Sequence, residues 1–264
     1  MEFQYASDLH IDHYTGIDYG SLLTPVAPVL LLAGDLCSAW KPDYAAFLRW
    51  CSPRWRFIVV LAGNHEYFCE EGEVHTIDDT DKEIERITSM LGNVAFLQNG
   101  DSVLLPGTSV RIVGATLWSA VDPAIHHAIR HKGDYEQTYT ATPHGARKTT
   151  PMDIVALHSL QKAYLHSTLA KFSADQIILM THHLPSFSLQ EEVHRGKEYS
   201  SCYASADDDL FLHRNVRVVL CGHTHRSFQG RLPGGAVAVL NARGYPKEAR
   251  RRKEAYSPRA TIRL

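Results

Sequence analysis

Long apolar runs are missing from this chain; none approaches the roughly 18 residues that a membrane helix requires. The N-terminus lacks the basic region followed by an apolar stretch that marks a secretory leader, so the cytoplasm is the expected compartment. Cysteine is scarce: five residues, at 37, 51, 69, 202 and 221, an odd number with no CxxC spacing. That argues against a disulfide framework and against a zinc–thiolate site. A surplus of one charge is lacking too. At a net charge of −2 there is no global pull toward nucleic acid or an anionic membrane. Repeats, low-complexity linkers and shifts in composition are absent, so the 264 residues are expected to form one domain, 1–264.

What the chain has in excess is histidine, sixteen residues, more than structural roles normally need. Its apolar residues fall into short blocks. Residues 3–7, 29–33, 57–62, 94–97, 102–105, 110–115, 177–181, 216–221, 236–241 and 260–264 read as strands. The continuous apolar runs at 29–33 and 57–62 mark strands buried on both faces. Residues 42–51, 79–91 and 152–172 carry apolar side chains at helical spacing. Strands alternating with helices early and clustering later predict an α/β layered fold. Periodicity fails at 118–151 and 184–206. Long structureless stretches inside a domain are usually functional or mobile, and both are expected near the site.

Five blocks end in metal-binding residue types. Residues 3–7 run into Asp8-Leu9-His10, 29–33 into Gly34-Asp35, and 57–62 into Gly63-Asn64-His65-Glu66. Residues 177–181 end at His182-His183, and 216–221 at Gly222-His223-Thr224-His225. These donors are carboxylate and amide oxygens and imidazole nitrogens, which suit hard or borderline divalent cations, and no thiolate is among them. Two cations a few ångströms apart need a bridging carboxylate, and Asp35 is the natural bridge. Such a pair suits phosphoryl chemistry, since it clamps phosphate oxygens and acidifies a water.

The ordered set Asp8-x-His10, Gly34-Asp35, Gly63-Asn64-His65-Glu66, His182 and Gly222-His223-x-His225 resembles the calcineurin-like metallophosphoesterase superfamily. The resemblance implies two mixed β-sheets packed face to face as a sandwich flanked by helices. It implies that Asp8, His10 and His225 hold one divalent ion, that Asn64, His182 and His223 hold the other, and that Asp35 bridges them. His65 is implied as the catalytic residue, touching the phosphate and the leaving-group oxygen without binding metal. Mn, Fe and Zn all suit these donors. One departure is visible. Many members continue Gly-Asp-x-x-Asp or Gly-Asp-x-x-Glu, whereas this chain has Gly34-Asp35-Leu36-Cys37-Ser38, which bears on metal tuning.

Each residue also has a plainer reading. Asp8, Asp35 and Asn64 taken singly are ordinary turn and cap residues after strands; it is their recurrence with the histidines that speaks for a site. His183 neighbours an expected ligand, but adjacent side chains of extended chain point opposite ways, so a structural role is expected. His126, His127 and His131 are expected on a solvated loop. Arg147 with Lys148, and the run Arg250-Arg251-Arg252-Lys253, read as surface. Cys37 and Cys221 read as small buried fillers.

The function expected is therefore hydrolysis of a phosphate ester by attack of a metal-bound hydroxide. A phosphodiesterase or nuclease on the same site is the first alternative. Near-neutral charge speaks against tracking of long polyanions. A metal-free interaction scaffold on the same fold is the second, and the complete set of ligands together with His65 speaks against it. The phosphate-ester substrate is not legible, nor is the oligomeric state.

Overall fold

Apolar blocks that stop at Asp, Gly or His become the strands of the computed structural model, which describes residues 1–248 and 255–264. The strands are β1 (Glu2–Ala6), β2 (Val29–Ala33), β3 (Phe57–Leu61), β4 (Val94–Leu97), β5 (Asp101–Leu104) and β6 (Val110–Ala115). Next come β7 (Tyr139–Thr142), β8 (Gly145–Lys148), β9 (Gln176–Thr181) and β10 (Val216–Cys221). The last three are β11 (Ser227–Arg231), β12 (Val237–Asn241) and β13 (Thr261–Arg263). The helices are α1 (Tyr19–Leu22), α2 (Pro42–Cys51), α3 (Ile77–Ser89), α4 (His126–Ile129), α5 (Gly133–Glu136) and α6 (Pro151–Lys171).

One sheet runs β13-β1-β2-β3-β4 and the other β11-β12-β10-β9-β6-β5. Within the first, β1 through β4 are parallel and β13 is antiparallel. In the second, β6, β9, β10 and β12 are parallel, with antiparallel strands at both edges. The sheets pack face to face. Val29, Leu31 and Ala33 of β2 meet Ile112, Ile178 and Leu220 in the core between them. The alternate residues Leu30 and Leu32 turn outward onto Phe47 and Leu48 of α2 and Ile84 and Ile87 of α3. On the far side Leu179 and Val219 pack on Leu165 and Leu169 of α6. Burial on both faces is why these strands read as unbroken apolar runs. Each fully buried Leu or Val contributes roughly 1.5–3 kcal/mol.

Parallel strands place all their C-terminal ends on one edge, where ligands bind in open α/β sheets. Ser7, just after β1, bridges in parallel to Ala242, just after β12, so the two sheets meet at that edge. No helix among the described residues is long and apolar enough to cross a membrane.

Two expectations need correction. Residues 118–151 are not structureless: they hold α4, α5 and the β7–β8 hairpin. Helices of four residues are too short to show a period, and most of the hairpin's side chains face solvent or are half-buried. The edge strand β11 has no counterpart among the expected strands, because Ser-Phe-Gln-Gly-Arg, with one side of the strand unpaired, carries no alternation. The basic run at 250–253 lies outside the described residues.

Candidate metal centre

The five strand-end loops converge. Asp8 and His10 follow β1, Asp35 follows β2, Asn64 and His65 follow β3, His182 follows β9, and His223 and His225 follow β10. Donor atoms of Asp8, His10, Asp35 and His225 all lie within 4.8 Å of one another, and those of Asp35, His182 and His223 do likewise. Asp35 belongs to both groups. The carboxylate expected to bridge is therefore where a bridge would have to be.

The backbone is bent to achieve this. Asp8, His10, Asp35, His223 and His225 all have positive φ, between 43° and 67°. For residues other than glycine this conformation costs roughly 1–2 kcal/mol each, and such strain clusters at functional sites. Glycine is required beside them. A Cβ on Gly34, whose φ is 86°, would sit 2.4 Å from the Gly63 nitrogen, and one on Gly63 would sit 2.2 Å from Asp35 Oδ1. The loops after β2 and β3 touch through these two residues. Glu66 locks them there: its buried carboxylate accepts N–H bonds from Asp35 (2.9 Å), Leu36 (2.8 Å) and Gly63 (2.7 Å).

Hydrogen bonds then aim the donors. His182 Nδ1 donates to the Ala33 carbonyl at 2.8 Å, which leaves the Nε2 lone pair facing inward. That lone pair meets Asn64 Oδ1 at 3.1 Å and Asp35 Oδ2 at 3.3 Å, both acceptors. The Asn64 amide is oriented by Asp134 of α5, whose Oδ1 accepts from Nδ2 at 2.8 Å, so its oxygen faces His182 and His223. On the other side Glu248 Oε2 accepts from His225 Nδ1 at 2.6 Å. The freed His225 Nε2 lies 2.9 Å from His10 Nε2 and 3.6 Å from Asp8 Oδ1. Asp8 Oδ2 is buried with no partner. Acceptors crowded onto acceptors, with a partnerless buried carboxylate oxygen among them, are what a cation would satisfy. Thiolates are absent from both groups. The residues fit divalent ions.

The electrostatics agree. Burial works against ionising Asp35, but His182 and His65 beside it hold its carboxyl well below the usual range. Burial pushes His10 down to about 2 and His223 well below an ordinary imidazole, which keeps both neutral and able to ligate. The other two imidazoles shift the opposite way: burial opposes charge on His225, but Glu248 and Asp8 raise it, and His182 rises further. Burial opposes its charge, yet Asp35 and Asp8 lift it to about 10. That shift records the pull of these buried carboxylates on any positive charge placed between them.

His65 stands at the edge of the cluster. Its backbone N–H donates to Asp35 Oδ1 at 2.9 Å, and its Nε2 lies 4.0 Å from Asp35 Oδ2. The cleft above has a volume of about 660 Å³. Ile129, Lys132 and Tyr135 wall one side; Gln190, Tyr199 and Tyr203 wall another. Both irregular stretches thus reach the site.

The remaining candidates fall outside. His127 pairs with Arg130 and His131 with Glu136, both on the surface. Arg147 and Lys148 pair with Asp153 and Glu136, also exposed. His183 is buried against Trp118 and His223, and burial together with His182 pushes it to about 3. Cys37 and Cys221 are buried. Asp134, Tyr245 and Glu248 were missed, and Glu66 had been given no role. Asp134, Tyr245 and Glu248 are isolated residues in stretches without a period, so no sequence signal pointed to them. Glu66 lay inside a quoted motif, where its burial was not legible.

A family model for calcineurin-like phosphoesterases matches residues 6–227. An uncharacterized protein of Acanthamoeba polyphaga mimivirus is 24% identical over 263 residues, 93% of this chain and 91% of that protein. Among solved structures, a phosphopantetheinyl hydrolase from Mycobacterium tuberculosis superposes with a TM-score of 0.65 at 18% identity, covering 98% of this chain and 95% of that one. A dimetal phosphatase from Danio rerio superposes with a TM-score of 0.52 at 13% identity, covering 92% and 87%.

Proposed function

This chain belongs to the calcineurin-like phosphoesterase family, and on that premise we propose that it hydrolyses a phosphate ester at a centre of two divalent ions. Membership carries the coarse activity, metal-dependent hydrolysis of a phosphoester. The observation that carries the finer reading is the pair of donor groups sharing Asp35. Asp8, His10 and His225 would hold one ion, Asn64, His182 and His223 the other, with Asp35 between. When bound, such a pair supplies Lewis acidity, drawing charge off the phosphoryl oxygens and lowering the pKa of water toward about 7.

The chain's own residues do the rest. Glu66 fixes the loops that carry Asp35 and Gly63, so the two groups keep their separation. Asp134 and Glu248 set which face of Asn64 and His225 points inward. His65, held by its backbone on Asp35 and open to the cleft, supplies a hydrogen bond to a phosphoryl oxygen or to the departing oxygen.

A second reading, preference for diesters, has an observation of its own. Lys132 is the only lysine or arginine among the described residues lining the cleft, while Tyr199, Tyr203 and Tyr245 line it too. Such walls suit a singly charged phosphate with an organic substituent on each side better than a doubly charged monoester. Both readings are tested by a panel of mono- and diesters, assayed with Mn, Fe or Zn returned to metal-stripped protein. Activity that returns with a divalent ion supports the proposal, and higher kcat/KM on diesters supports the second reading. Hydrolysis undiminished by chelation overturns the metal centre.

A further inference from the structure

The matched family region ends at residue 227, yet the chain returns to the site after β12. Its path there is fixed by the backbone. Arg243 N–H donates to the Ser7 carbonyl at 3.1 Å and Gly244 N–H to the Asp8 carbonyl at 2.8 Å. The Arg243 guanidinium lies 3.7 Å over the Tyr14 ring, whose hydroxyl donates to the Gly244 carbonyl at 3.3 Å. These contacts tie residues 243 and 244 to the loop that carries Asp8 and His10. Tyr245, the next residue, is therefore held in place by the main chain that precedes it. Its own N–H donates to Glu248 Oε2 at 3.0 Å, the oxygen that also takes the His225 Nδ1 proton.

From there the Tyr245 ring packs 4.4 Å from His10, 4.8 Å from His13 and 4.7 Å from His225. Its hydroxyl reaches His65 Nε2 at 2.9 Å. Among the described residues it is the only hydrogen-bond partner of that ring. The ring's faces are walled by Phe68 at 4.3 Å and His10 at 4.5 Å, and the Asp35 carboxylate, 4.0 Å from Nε2, lies beyond hydrogen-bond distance. Aromatic walls fix the plane of an imidazole but do not tell its nitrogen edge from its carbon edge. A flipped ring would fit the same slot and carry carbon where Nε2 now stands. Only a polar partner discriminates between the two.

We infer that Tyr245 is the positioning residue for His65, its hydroxyl selecting the ring orientation in which Nε2 lies on the Asp35 side of the imidazole. The inference rests on the reading of His65 given above. It extends the working site past the matched region, to a segment bound to the first strand's loop.

Coupling between the two residues tests it. Tyr245→Phe, His65→Gln and the double variant are loaded with metal, their ion content and melting points are measured, and kcat and KM are determined for each. Tyr245→Phe keeps the ring packing and loses one hydrogen bond, so kcat should fall about 3- to 10-fold, with KM and ion content unchanged. In the His65→Gln background the same substitution should have no further effect, because the group it orients is gone. Full kcat in Tyr245→Phe, loss of metal in it, or losses that multiply in the double variant would each overturn the inference and leave His65 catalytic. Full activity in His65→Gln would overturn the reading of His65 itself, and this inference with it.

Discussion

Single side chains decide whether the centre works, and three are informative. Asp35 is the donor shared by both groups, so Asp35→Asn should weaken binding of both ions at once, seen by titration calorimetry; loss of one ion alone would show that it is not shared. His65 gives no donor atom to either of the two groups that share Asp35, and a positioned acid is worth roughly 10²–10⁴ in rate. His65→Gln should cut kcat by about that range with ion content unchanged. The loss should shrink on nitrophenyl esters if His65 protonates the departing oxygen, and stay constant if it stabilises a phosphoryl oxygen. Asp134→Ala frees the Asn64 amide to turn its nitrogen inward, which should weaken the neighbouring ion by about 10- to 100-fold. The eight residues expected from the motifs do meet in space. Their supports were not legible, for a physical reason. A ligand announces itself by type and by its place at a strand end, whereas Asp134 and Glu248 are ordinary acidic residues until the fold sets them on Asn64 and His225.

Elements were readable in proportion to their burial. β2, β6 and β10, and α2 among the helices, lie where the apolar runs and the helical period put them, because each buries at least one face and its side chains record it. The β7–β8 hairpin and β11 do not, because mostly exposed or half-buried strands have no face to record. Helix α6 shows how local chemistry sets a boundary. Thr150 and Asp153 cap it reciprocally, and Pro151 occupies its first turn. Arg147, and then the Thr150 hydrogen bonds, hold the Asp153 carboxyl down at about 2. A carboxyl depressed on folding adds stability above its ordinary value of 3.8 that is lost as pH falls toward 2. Asp153→Ala should therefore cost about 1 kcal/mol at pH 7, and the gap from the unaltered protein should close between about pH 4 and 2 in thermal melts. A gap that widens on acidification would contradict this assignment. The segment carrying Tyr199 and Tyr203 forms a wall of the cleft. Replacing both by Ala should reorder the preference among organic substituents while leaving ion content untouched; an unchanged ranking would remove this wall from substrate recognition.

The molecule as a whole is arranged so that two parallel-rich sheets meet at the edge where their strands end, with the bridge between Ser7 and Ala242 at the seam. Their packed core is the rigid body against which strained loops can be held. Five expected ligands at positive φ cost several kcal/mol that the core and the Glu66 clamp must offset. The centre thus draws on both sheets, with Asp8, His10, Asp35 and Asn64 from one and His182, His223 and His225 from the other. Two ions joined by Asp35 are the claim on which the rest depends. Elemental analysis of fully active protein, titrated from the metal-free state with activity followed at each addition, tests it most directly. Two divalent ions per chain, with activity complete only at the second, is the predicted result. Full activity at one ion per chain, or with none, would contradict it.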